Sequence, residues 1–112
     1  MIETIIQDHL IDAGFTAYME IPEGGGTPPY IVIERTGGGE ANHIRSATVA
    51  IQSYGGSLYA SAALNEQVKA AMEAIRELPE IAACDLNSDY NYTDTTKKQY
   101  RYQAVYDLVY YD

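Results

Sequence analysis

The chain has 112 residues, 46% of them hydrophobic and 21% charged, which is the composition of one globular domain spanning residues 1–112 and not of a disordered segment. Sixteen acids against seven Lys and Arg give a net charge of -9, which excludes a grip on nucleic-acid phosphates, because that binding needs clustered basic residues. A single cysteine, Cys84, excludes an intrachain disulfide and fits a reducing compartment.

Ile2, Ile5, Ile6, His9, Leu10 and Ala13 recur at helical spacing and predict a first helix, which Gly14 stops. Phe15 to Ile21 reads as a short strand ended by Pro22, and residues 23–29, rich in Gly and Pro, as a mobile connector. Tyr30 to Thr36 is a β-branched strand, Gly37 to Gly39 breaks it, and Ile44 to Tyr54 is the next strand. Ser57 is placed to cap a long helix from Leu58 to Leu78, with Leu64, Val68, Ala71, Met72, Ile75 and Leu78 as its apolar stripe and Pro79 beyond its end. Ile81 to Tyr92 is extended, and residues 94–98 form a turn. The last strand alternates, with Tyr100, Tyr102, Ala104, Tyr106, Leu108 and Tyr110 facing the helices and Arg101, Gln103, Val105, Asp107 and Val109 on the more accessible side. The order α-β-β-β-α-β-β predicts an α+β fold, a mostly antiparallel sheet with both helices on one face.

Chemistry-bearing patterns are few. The glycine runs at 24–26 and 37–39 lack the Lys and Ser/Thr of a P-loop and the spacing of a dinucleotide fingerprint, so they read as flexible loops. Asp85, Asn87, Asp89 and Asn91 have the spacing of calcium ligands, yet Tyr90 stands where the loop needs Gly and Thr96 where it needs Glu. A strand with one polar face gives the same spacing. His9 and His43 have no second ligand at metal spacing, and Cys84, among Ala82, Ala83 and Leu86, reads as a small buried hydrophobe. No nucleophile elbow is present, so the chain reads as a non-enzyme without cofactor or metal. The segment from Met1 to Ile6 carries an early acid and no basic stretch, so no signal peptide is expected, and no apolar run approaches the ~20 residues of a membrane span. The eleven tyrosines, against one Phe and no Trp, suit surfaces that are wet in the monomer and buried in an assembly.

One resemblance covers nearly the whole chain. The strand from Pro29 to Gly39 ends in Glu-Arg-Thr-Gly-Gly-Gly; Ala47 to Gln52 and an Ala-rich helix follow. Tyr100 to Val109 closes the chain after a turn containing Asp94. Together these resemble the tail-terminator, or tail-completion, proteins of long-tailed bacteriophages. The resemblance implies a virion protein of the tail or neck, assembled in the host cytoplasm as a six-membered ring. The ring caps the tail tube, stops its polymerisation and meets a head-completion or connector protein. It implies no catalytic residue. Arg35, Thr36, Gly37, Gly38, Gly39 and Glu40, expected as a strand end and loop, are the subunit-interface candidates. An acidic ring would pass DNA without binding it, since like charges repel across roughly 8 Å at physiological salt. A related neck component, or a binding module outside phages that uses an exposed strand edge, are the other readings.

Overall fold

The computed structural model describes residues 1–111. Helix α1 (Ile2–Asp12) forms because Ile2, Ile6 and Leu10, four residues apart, are all buried on one side. Its first turn is tied by Thr4 Oγ1 donating to the Met1 carbonyl at 2.8 Å, and Gly14 leaves the helix at φ +100. Helix α2 (Leu58–Glu73) begins at Ser57, whose Oγ accepts from the Ala60 amide at 3.0 Å. Leu64, Val68 and Met72 are its buried stripe, and Ile75 extends it from a 3-10 turn, Ala74–Glu77. The single long helix expected to Leu78 thus tightens after Glu73, with the Leu78 amide bonding back three residues to the Ile75 carbonyl.

Five strands follow the predicted order: β1 (Ala17–Tyr18), β2 (Tyr30–Ala41), β3 (Ile44–Tyr54), β4 (Ile81–Asn91) and β5 (Arg101–Tyr111). They lie side by side as β1-β2-β3-β5-β4, antiparallel except for the parallel pair β1–β2. The α+β class and the element order are those expected from the sequence. The strand expected over Phe15–Ile21 shrinks to two residues. It is fixed by the Ile31 amide donating to the Thr16 carbonyl and by Gln7 Nε2 donating to the Ala17 carbonyl. The main core lies between the helices and one face of the sheet, where Ile31, Ile33, Val49, Ile51, Ala104, Tyr106 and Leu108 meet the helical stripes. Each of the Ile, Val and Leu side chains among them contributes roughly 1.5–3 kcal/mol by leaving water.

Two further differences from the sequence expectations lie in β2 and β5. Gly37 to Gly39 do not break β2 and are not a loop. They pair with Thr48, Ala47 and Ser46 of β3, and the turn comes later, at Asn42 and His43, both at positive φ. Glycine is a poor strand former for want of a side chain to pack, but here the partner strand supplies the ladder and neither face needs filling. Thr36 is the extra residue of a β-bulge between Arg35 and Gly37. The second correction concerns Gln103, expected on an accessible face, which is only 8% exposed.

Candidate functional site: the distal arm of the β2–β3 hairpin

Burial along β2 changes abruptly. Tyr30 to Ile33 are buried, whereas every residue from Glu34 to Ala41 is exposed. The six interface candidates, Arg35 to Glu40, therefore sit together on a paired arm at one end of a molecule whose longest dimension is 44 Å. Arg35 turns to the helix side, where its Nε lies 3.8 Å from Glu3 of α1. Thr36 Oγ1 donates to the Thr48 carbonyl at 3.3 Å, holding the bulge. Arg45 reaches across the hairpin to Glu40 at 3.6 Å. Gly38 is tight, since an added Cβ would lie 2.9 Å from the Ser46 carbonyl oxygen, while Gly37 has nothing within 4 Å. Across the arm, register places Ala41 beside Ile44 and Ile44 beside Tyr111, with Ile44 46% and Tyr111 52% exposed. The arm is an apolar-edged, glycine-flattened surface.

The face of the sheet away from the helices carries a second arrangement that the sequence did not announce. Tyr30 and Tyr54 stack at 4.6 Å between ring centroids, and Arg101 lies over Tyr92 at 4.5 Å and over Tyr54 at 5.7 Å. Beside them Gln52 Nε2 donates to Gln103 Oε1 at 2.9 Å, and Gln103 Nε2 to the Tyr90 hydroxyl at 2.6 Å. Burial first, then the neighbouring Tyr54, raises the Tyr30 hydroxyl above its ordinary pKa, against an opposing pull from Arg101. The signal that could have found this row is the alignment of Gln52 with Gln103 and of Tyr54 with Arg101, which needs the strand register. The row joins four strands.

The other chemistry-bearing residues are dispersed. Asp85, Asn87 and Asp89 lie on β4, where Asp85 meets Arg76 at 3.6 Å, Asn87 donates to Asp107 at 2.9 Å and Asp89 meets Lys69 at 3.2 Å. Among the described residues no group of three or more His, Cys, Asp or Glu could hold a metal ion. His9 Nε2 is 2.8 Å from the Ala71 carbonyl and ties the two helices together. Cys84 is buried, and that burial pushes its thiol up to about 11. No described helix is long and apolar enough to cross a membrane. Compared with known proteins, the sequence matches no family model and no curated protein.

Proposed function

We propose that this chain is a structural subunit of a long-tailed bacteriophage that assembles as a ring, a hexamer, on the end of the tail tube. There it stops tube polymerisation and presents a surface to the head-completion or connector protein. The observation that carries the reading is the arm. Six residues singled out from the resemblance are gathered on one exposed, paired projection, with Ile44 and Tyr111 open beside them. A monomer gains nothing in core stability from such a projection, and a subunit that must meet a neighbour does. The composition supports a DNA conduit without affinity for DNA. Among the described residues, Arg35, Arg45, Lys69 and Arg76 face carboxylates and Arg101 lies over aromatic rings, so of the seven cations only the pair Lys97 and Lys98 has no such contact there, in a chain of net charge -9.

A binding module outside phages draws on the same exposed strand edge, and one experiment separates the two. The protein is added to polymerising tail-tube subunits from the phage or prophage that encodes it, and tube lengths are read by negative-stain microscopy. Rings on tube ends and a halt to growth are expected. Unlimited growth with no terminal density, while the chain captures a peptide at its edge, sinks the terminator reading in favour of the module. Association with a portal-side protein and not with the tube would assign the chain to the neck.

A further inference from the structure

We infer that the open half of β2 receives the open half of β4 from a second copy of this chain, in an antiparallel ladder that continues the sheet. Strand β1 covers β2 only at Ile31 and Val32. From Ile33 to Ala41 no described strand lies beside that edge. The Ile31 amide points outward to Thr16, so strand alternation, corrected for the bulge at Thr36, turns the backbone groups of Ile33, Arg35, Gly38 and Glu40 outward as well. Strand β4 forms the other edge and is closed over its first half. Arg76 donates to the Cys84 carbonyl through both Nε and Nη2, and bulges interrupt the strand near Ala82 and Asn87. Such plugs and bulges are how a sheet edge is kept from pairing. From Ser88 to Asn91 no described residue plugs the edge.

The two open stretches lie at opposite ends of the sheet, and this decides how copies join. Through the register, Gly38 is level with Cys84, not with Asp89 or Asn91. Bringing the open stretches together requires a shift of roughly five residues, about 15–20 Å at ~3.3 Å per residue. Against a five-stranded sheet about 24 Å wide, that shift inclines the strands by about 30–40°, close to the tilt at which sheets close on themselves. Strands β2 and β4 run in opposite directions within one sheet, so rotating a copy about a ring axis brings them together antiparallel, with the helices kept on one side.

Side chains favour the same partner. Gly37 and Gly39 leave the outer face of the β2 edge bare, while Tyr90 and Tyr92 stand on the outer face of β4, each 42% exposed. Aromatic rings laid across strand glycines are a recognised way to pin register. Pairing β2 with β2 would set glycine against glycine and cover no ring. The interface is therefore head-to-tail, as a closing ring demands. The inference deepens the ring reading and rests on it for closure.

Cross-linking tests it. Gly37→Cys and Tyr90→Cys are made separately, with the buried Cys84 as a silent background. Opposed residues of an antiparallel ladder lie about 4.5–5.5 Å apart at Cα, within disulfide reach. Mixed and mildly oxidised, the two variants should give a disulfide-linked heterodimer. Tyr92→Cys replaces Tyr90→Cys to cover the adjacent register, and each variant alone should stay uncross-linked. Cross-linking of Gly37→Cys by itself would show β2 pairing with β2 and overturn the proposal. So would a wild-type chain that sediments as a monomer up to about 1 mM, a concentration that admits all but the weakest association. Association of the mixtures without a cross-link from either tyrosine position has the same force. None of these readouts uses a tail tube, so failure here is distinguishable from failure of tube capping.

Discussion

Gln52 and Gln103 face each other across β3 and β5, joined Nε2 to Oε1 at 2.9 Å, on the side of the sheet that carries no helix. Gln103 also donates to Tyr90, so a single side chain links a central strand to an edge strand through β5. Gln103→Ala takes the nearer acceptor from Gln52 Nε2, which keeps only Glu34 at 3.3 Å, and removes the partner of the Tyr90 hydroxyl, and should cost about 1 kcal/mol. Tyr106→Ala empties a site on the opposite face that is 4% exposed, and should cost about 3–5 kcal/mol. Urea melts of the two variants check the ranking. A neutral Gln103→Ala would mean that the amide row is a surface ornament.

That row also marks where sequence reading reaches its end. Strict alternation assigned Tyr100, Tyr102, Ala104, Tyr106, Leu108 and Tyr110 to the helix side; the structure buries the last four there, while Tyr102 is only half-buried and Tyr100 precedes β5. Alternation says which face a residue takes and nothing about what stands next to it. Gln103 is covered by side chains from strands far away in sequence. The helices were legible because Ile2, Ile6, Leu10 and Leu64, Val68, Met72 repeat at the helical period. The arm was misread because glycine is a local breaker, whereas Gly37 to Gly39 take their conformation from Ser46 to Thr48. Likewise, Asn42 and His43 supply the left-handed turn usually written Asn-Gly; both residue types tolerate positive φ, but without the Gly they are a weaker hairpin signal than the glycine run beside them. The six candidate residues, consecutive in the chain, lie on a paired strand and not on a loop.

Stability should fall at alkaline pH in a window set by Cys84. Burial, with help from Asp85 and Glu73 and against Arg76, pushes its thiol from an ordinary 9.0 up to about 11. The neutral form is favoured in the fold, so this contribution is fully present below pH 9 and is lost as pH rises towards 11. Tyr106, pushed up first by its burial and then by Cys84, adds a loss of the same sign at higher pH. Melting temperatures measured from pH 8 to 11 should decline, and Cys84→Ala should make the decline shallower over 9–11. An identical slope in the variant would remove Cys84 from the explanation.

Arg76 should matter more for the edge of β4 than for its ion pairs. Its contacts to Glu73 and Asp85, at 3.5 and 3.6 Å, involve half-exposed or exposed groups and contribute little. Its two donors on the Cys84 carbonyl close the first half of that edge. Arg76→Ala should cost roughly 1 kcal/mol and should increase concentration-dependent light scattering as the edge opens. Arg76→Lys keeps the charge but not the planar fork, so it should restore the melt only in part and leave the scattering high. Full restoration by Lys would show that charge alone guards the strand.

Insertions into the hairpin separate folding from assembly. A Ser-Gly insertion between Asn42 and His43 lengthens a turn, and loop lengthening is cheap, about 0.6 kcal/mol per doubling. The loss of a tight two-residue turn adds to that without touching the paired residues of the arm. The same insertion after Gly38 falls inside a ladder, where it shifts Gly39, Glu40 and Ala41 past Ser46, Arg45 and Ile44. The buried part of β2 ends at Ile33, so the domain should still fold, with its helical signal and a cooperative melt intact. Ring formation should survive the turn insertion and fail with the strand insertion, leaving tubes that overgrow. The glycine run would then serve the arm as a surface and not as a flexible joint. Should the strand insertion fold, form rings and cap tubes as the wild type does, Arg35 to Glu40 are not the interface, and the contact between subunits must be sought on the row of Tyr54, Arg101 and Tyr92.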